Sequence, residues 1–262
     1  VYTISEWYGR TGNNLQQISN AIYFCRKNEI NFVCPPHPLI KPFTIEFGKP
    51  TRFSSRFYFY SGPDIDFECD AVDLNEKRRS ILLKYVVPHF TFPQSFPLGN
   101  DILVIHIRSG DVFLASPPPR DYIQNPLSFY KKVMEGYEHV IIVTEDDRRN
   151  PVLRELEKDN RVMIQASSLQ NDFSMLLRSE NLVTSGVGTF AVAAALCSPH
   201  IQTLYCTELF LKEHLNPTML YNCADVKVNL FQMKNYIKIG EWENSPAQRE
   251  LLVAHQQEYR RC

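Results

Sequence analysis

The chain has 262 residues, of which 44% are hydrophobic and 22% charged, with a formal net charge of −1. That is the composition of an ordinary soluble globular protein able to bury a sizeable core, and the near-neutral balance excludes a nucleic-acid binder built on a broad basic face. No apolar run reaches the roughly 20 residues of a membrane-spanning helix, no signal-peptide pattern is visible, and a chain opening on Val1 is expected to have a trimmed or processed start.

In chain order, TISEWYGRTGNNLQQISNAIYFCRKNE predicts a strand, a Gly-containing loop, then a helix with Leu15, Ile18, Ile22 and Cys25 on one face. INFVCP predicts a strand. Residues 35–70 are rich in Pro, Phe and Tyr and show no clean period. DLNEKRRSILLKYVV predicts a helix capped by Asp73, with Glu76 completing a capping-box-like pattern. PHFTFPQSFPLGN, with three prolines and a glycine, is the best linker candidate.

From residue 101 apolar strands alternate with helices. DILVIHI, HVIIVTE, RVMIQAS, NLVTSG and IQTLYC read as strands; PLSFYKKVMEGY, PVLRELEKD, DFSMLLRSE and TFAVAAALC read as helices. This pattern implies βαβ units around a parallel sheet, with the strand-to-helix loops along one edge. The last predicted helix, SPAQRELLVAHQQEYRR, is able to pack on either half. The expected division is an N-terminal α/β domain over 1–98, a Rossmann-like domain over 99–240, and a C-terminal helix within 241–262. No repeat or low-complexity segment is present.

The seven cysteines (Cys25, Cys34, Cys69, Cys197, Cys206, Cys223 and Cys262) form no CxxC pair and no cluster with metal-ligand spacing. Several sit in apolar runs such as AALCS and TLYC, which favours buried free thiols. No Asn-x-Ser/Thr sequon free of proline occurs, so a cytoplasmic location is favoured over the Golgi lumen.

Three loops between a strand and a helix carry candidate chemistry. In HIRSGD, His106 and Arg108 share one side of the strand, and Arg108 offers a planar fork suited to phosphate oxygens. Gly110 permits close approach, while Ser109 and Asp111 can fix the loop. The bland alternative is a salt-bridged strand end with His106 as a satisfied core histidine. In SGVGTF, Ser185, Gly188, Thr189 and Phe190 lead into an Ala-rich helix whose N-terminus offers backbone N–H groups to an anion. It is neither GxGxxG nor a P-loop, and the alternative is a plain helix cap. In GRTGNN, Gly9 and Gly12 allow a tight loop, Arg10 can reach an anionic oxygen, and Asn13 and Asn14 can bind or cap. The alternative there is an Asn-capped helix.

G-R-x-G-N-x-L, H-x-R-x-G-D, N-P-L-S-F-Y-K-K and D-F-S-M-L-L…N-L-V-T-S-G-V-G-T-F occur in that order. Together they resemble the GT-B fucosyltransferase superfamily, which includes the α1,2- and α1,6-fucosyltransferases, the Nod-factor enzymes and the protein O-fucosyltransferases. The similarity runs from residue 9 to about residue 200 and leaves the segment 35–70 unmatched. The resemblance implies an α/β, GT-B-like fold: two facing Rossmann-like domains with a nucleotide-sugar cleft between them. It implies that Arg108 binds the donor β-phosphate and stabilises the departing diphosphate, and that His106 contacts the nucleotide. Thr189 and Phe190 match a Ser-Thr-Phe turn near the pyrophosphate and base, with Gly188 standing where that turn commonly has Ser. Ser185 and Gly12 fall beside these groups in the nucleotide-sugar site. Arg10 and Asn13 match first-domain residues that approach the phosphate and sugar across the cleft.

The expected activity is an inverting, metal-independent transfer of a sugar, fucose from GDP-fucose, to a hydroxyl of a carbohydrate or glycoprotein acceptor, with no cofactor. Charge building on the leaving phosphates is stabilised by arginine and backbone donors. The general base is sought among Asp111, Asp121 and Glu6, since an acceptor hydroxyl must lose its proton. The sole D-x-D, Asp64-Ile65-Asp66, lies in the irregular first half rather than after a Rossmann strand. Two rivals stand beside this reading: the same fold with a UDP- or GDP-linked pentose or hexose, and a non-catalytic module that binds nucleotide or sugar.

Overall fold

The computed structural model describes residues 1–48, 54–56, 67–93 and 95–259. Short β-rich segments of the first half form β1 (Tyr2–Ile4), β2 (Phe32–Cys34), β3 (Phe43–Ile45) and β4 (Ser54–Arg56), in the sheet order β3-β2-β1-β4. β1 runs parallel to β2 and β4, and β3 pairs antiparallel with β2. Helix α1 (Thr11–Lys27) buries Leu15, Ile18, Ile22 and Cys25, the face its apolar spacing predicts. Helix α2 (Phe67–Ile81) continues into a π-helical turn at Leu82–Val86 and a 3-10 turn at Val87–His89.

Asp73 is therefore not the cap of α2 but lies inside it. Its carboxylate accepts a hydrogen bond from the Tyr23 hydroxyl at 2.6 Å and pairs with Lys77 one turn on, also at 2.6 Å. An acidic residue ahead of a helical run has two physical meanings, an end or an i,i+4 ion pair. Here the second applies.

The second half forms β5 (Ile102–Ile107), α3 (Asp111–Leu114), α4 (Leu127–Met134), β6 (His139–Thr144), α5 (Pro151–Leu156), β7 (Val162–Gln165), α6 (Leu169–Leu177), β8 (Asn181–Val183), α7 (Phe190–Cys197), β9 (Thr203–Thr207), β10 (Lys227–Phe231) and α8 (Pro246–Ala254). All six strands are parallel, in the order β10-β9-β8-β5-β6-β7. Alternate residues of β5 face opposite layers. Leu103, Ile105 and Ile107 pack with α4, α5 and α8, whereas Val104 packs with α6 and α7. The order reverses between β5 and β8, so the loops at their carboxyl ends diverge to opposite faces and leave a crevice. β10 has no counterpart among the predicted strands; its alternation is short and polar (KVNLF).

One apolar cluster runs from the first sheet through α1 to α6 and α7 of the second. The proline-containing linker belongs to it: Phe90 and Phe92 are buried, stacked at 5.2 Å, and Phe90 packs edge-on to Phe173 of α6. Arg79 staples the same seam. Its buried guanidinium donates from Nη1 to the carbonyls of Ala195 (2.8 Å) and Ser198 (2.9 Å) at the end of α7, and from Nη2 to Asp225 (2.8 Å). Helix α8 packs on α4 and α5 and ends at Ala254, shorter than its sequence pattern implies. His255 turns out of helical geometry and its ring packs on Tyr236 at 4.8 Å. The five cysteines whose side chains are described, Cys25, Cys34, Cys197, Cys206 and Cys223, are free thiols. No helix among the described residues is long and apolar enough to cross a membrane.

Replacing Arg79 by Leu strips the Ser198 carbonyl of its Arg79 donor and leaves the Ala195 carbonyl with only the long Ser198 N–H bond at 3.4 Å, and an unsatisfied buried group costs about 1–3 kcal/mol. The expected outcome in urea unfolding is a loss of about 2–4 kcal/mol, with α7 and α2 loosened together.

Candidate functional site

The loop after β5 is fixed from below by the loop after β6. Ser109 is fully buried; its hydroxyl accepts the backbone N–H groups of Arg149 (2.6 Å) and Asn150 (3.1 Å), and Asn150 Nδ2 donates to the Arg108 carbonyl at 3.0 Å. Gly110 sits at φ +50° and is the N-cap of α3. The N–H groups of Ser109 and Gly110 point at carboxylates, Glu145 Oε2 at 2.6 Å and Asp147 Oδ1 at 3.0 Å. These two backbone donors are thus already occupied by internal anions. From the other side, Trp242 is fully buried and donates to the Val112 carbonyl at 3.1 Å, holding α3 in place.

Arg108 leaves this loop with a side chain only 15% exposed. Nη2 donates to both oxygens of Asp111 at 3.0 and 3.1 Å, and the guanidinium lies 4.6 Å from the centre of the Tyr122 ring. Nη1 faces Gly188, with 3.9 Å to the point where a Cβ would sit there. Arg108 is therefore ion-paired, as the bland alternative requires, yet one edge of its fork is left for a ligand. His106 is buried beside Phe190 at 5.3 Å, and its Nδ1 has no partner. Burial, then the neighbouring Arg108 charge, push its pKa down to about 3, so the ring is neutral.

The turn Ser185–Thr189 carries the N-terminus of α7. Gly186 adopts φ +91°, and a Cβ there would meet the Ile123 carbonyl at 2.7 Å. Thr189 occupies the N-cap position without a side-chain cap bond; its hydroxyl instead donates to Asn13 Oδ1 of α1 at 3.1 Å. The same contact sets aside the alternative of an Asn-capped α1. Arg10 is the N-cap residue, with no side-chain cap bond, and Asn13 lies inside the first turn. Gly12 makes the approach possible, since a Cβ would fall 2.3 Å from Thr189 Oγ1. The positive ends of two helices thus meet. Arg10 spans the mouth beside them, pairing with Asp111 (3.3 Å) and Glu145 (3.4 Å) while 62% exposed.

These pieces enclose a cavity of about 310 Å³. His106, Arg108, Gly188, Thr189, Phe190, Arg10 and Gly12 all line it, so seven of the residues singled out in the sequence come together at the carboxyl end of β5. Asn13 stands just behind through Thr189. Ser185 is buried beneath Gly188, its hydroxyl 3.2 Å from a Cβ built there, and is not part of the lining. Asp111 reaches the site through the two arginines rather than as a wall. Asp121 and Glu6 do not line the cavity, and Asp64 and Asp66 lie outside the described residues. Among the described residues no group of three or more His, Cys, Asp or Glu side chains is placed to hold a metal ion.

Several lining residues were not read from the sequence. Val143 and Thr144 end β6 and Glu145 and Asp146 follow it, while Ser167 lies in the β7–α6 connection and Leu169 and Asp172 in the first turn of α6. Asp172 is steadied by Gln165 Nε2 on Oδ1 (2.9 Å) and by the Ser167 N–H on Oδ2 (3.2 Å). Its signal was present only as position: a polar residue in the first turn of a helix that follows a parallel strand. Asn125 of the NPLSFYKK motif proves to be a clamp, donating to the Thr184 carbonyl (2.8 Å) and accepting from Thr207 (2.7 Å).

Against models of protein families and against curated proteins the chain finds no match. Among solved structures it is similar to POFUT1 in complex with GDP, with a TM-score of 0.42 and 12% identity over 78% of this chain and 97% of that chain.

The neutral histidines make a pH prediction. An unfolded histidine titrates near 6.5, whereas burial holds His106 at about 3 and His37 at about 4. Between those values the unfolded chain binds protons that the folded chain refuses, so stability rises with pH from about 4 to 6.5 and is lost as pH falls through that window. Urea midpoints should decline less steeply over this range in His106→Gln than in the parent. An unchanged slope would mean that the ring is already charged in the fold.

Proposed function

We propose that the chain is a GT-B-type glycosyltransferase that binds a nucleotide-activated sugar in the crevice between β5 and β8 and transfers the sugar, fucose from GDP-fucose, to a carbohydrate or glycoprotein hydroxyl. The observation that carries this reading is the convergence of three positive features on one cavity: the open edge of Arg108, the N-terminus of α7 and the N-terminus of α1 with Arg10. A diphosphate is the ligand for which such donors are worth most, because charge grows on it as the bond to the anomeric carbon breaks. The carboxylates of Glu145 and Asp147 occupy the N–H groups after β5, which favours diphosphate at α7 rather than at the first turn.

Part of the cavity lining favours guanine over uracil. Leu169 and Phe190 offer apolar surface, and Asp172 brings a carboxyl group whose oxygens are steadied by Gln165 and Ser167. Guanine presents two adjacent donors on one edge, N1–H and the exocyclic amine, which a carboxylate takes together; uracil presents one.

In this mechanism Arg108 binds the β-phosphate through Nη1 and stabilises the leaving diphosphate. Neutral His106 forms part of the wall next to Phe190. Asn13 and Thr189 lock the first half against the phosphate turn, and Arg10 exchanges its exposed carboxylate pairs for a phosphate oxygen. Asp111 holds the Arg108 fork and is the candidate to accept the acceptor's proton once Arg10 leaves it.

Calorimetry across GDP, UDP and free sugars tests the donor class, with GDP expected to bind most tightly. Arg108→Ala should stay folded and lose roughly 10²–10³ in kcat, the scale of one preorganised donor, and Lys should restore little because it lacks the fork. Wild-type turnover in a folded Arg108→Ala protein would return this arginine to a structural ion pair. Transfer is further expected to survive EDTA, since arginine and helix ends take the role of a cation; loss restored by manganese or magnesium would direct attention to Asp64 and Asp66.

A further inference from the structure

The anion site depends on the aim of one guanidinium, and we propose, resting on the nucleotide-sugar reading, that Tyr122 is the positioning residue that aims it. Arg108 has few restraints of its own. Its Nε is buried with no partner, and Asp111 holds a single corner, Nη2. A guanidinium pinned at one corner is free to swing about that corner. The Tyr122 ring, 4.6 Å from the guanidinium carbon, supplies the missing plane.

The ring is itself fixed to the other phosphate-facing element. The Tyr122 N–H donates to the Pro119 carbonyl at 3.0 Å, and the residues that follow pair with the α7 turn: Val187 N–H to the Ile123 carbonyl at 2.9 Å, Asn125 N–H to the Ser185 carbonyl at 3.3 Å. Gly186 lies against that strip so closely that no Cβ fits. From the outer side the Tyr236 hydroxyl donates to the Gln124 carbonyl at 2.9 Å. One short stretch of backbone therefore carries both the plate under Arg108 and the bridge to Gly186 that sets the N-terminus of α7. Tyr122 fixes the distance between the two donors that a diphosphate must satisfy together, while it does not line the cavity itself.

The test compares GDP and UDP with guanosine and uridine by calorimetry on the full chain. Tyr122→Leu should weaken the better-bound diphosphate about tenfold while its nucleoside changes less than about twofold, a split that general loosening of the fold does not produce. Tyr122→Phe, which keeps the ring, should recover most of the loss. Without any ligand, urea unfolding of Tyr122→Leu, Arg108→Ala and the double variant should be non-additive by about three- to tenfold in the folding constant. Equal weakening of diphosphate and nucleoside, or strictly additive unfolding losses, overturns the role of Tyr122 alone. Failure of the parent protein to bind either diphosphate overturns the nucleotide reading and this role with it.

Discussion

Everything at the site depends on how closely α1 comes to α7. A missing Cβ at Gly12 lets the first turn of α1 rest on Thr189, and Asn13 converts the contact into a hydrogen bond. Helices of ordinary surface stay 8–10 Å apart at their axes; only a glycine at the crossing allows one helix end to close on another. Bringing two positive ends together is unfavourable on its own. The arrangement is stable because the apolar face of α1 and the all-apolar α7 share one core, and because the carboxylates of Asp111 and Glu145 lie within reach of the charge.

Those carboxylates also decide which donors face the cavity. In many parallel α/β proteins the first strand-to-helix turn offers bare N–H groups to phosphate. In this chain Glu145 and Asp147 satisfy them internally, and the cationic groups are moved off the backbone to Arg108 and Arg10. The result is a site whose donors are side chains on one strand end and peptide groups on another. Asp111 shares itself between both arginines, so both cations are paired before any ligand arrives.

Much of this was legible in the residues. Parallel strands after residue 101 declare themselves by apolar runs such as HVIIVT, and residues just beyond them are placed at one edge by chain topology alone. That is why Arg108 and Thr189, far apart in sequence, were nameable together, whereas Arg10 of the first half joined them only through the family resemblance. The capping residues were not, because Asp73 and Asn13 carry side chains equally suited to an ion pair or a tertiary hydrogen bond. Choosing between these needs the partner, Lys77 or Thr189, to be located in space. Ser109 fixes the loop, as its place in HIRSGD suggests, whereas Asn125, known from the sequence only as part of the NPLSFYKK motif, proves to be a clamp. Glu145 and Asp172 had no motif at all; only their placement after β6 and at the start of α6 brings them to the wall.

The core common to both halves has a dynamic consequence. Helix α7 is fully apolar along its length, covered by α1, α2 and α6, and anchored at its end by Arg79. Local opening takes the path that exposes least apolar surface, and α7 offers no such path. Its amide protons should exchange with solvent only when the whole chain unfolds, while those of the exposed β6–α5 loop exchange in the native state. The turn Ser185–Thr189 therefore stands on a slow-opening element, while the β6–α5 loop that also lines the cavity opens readily.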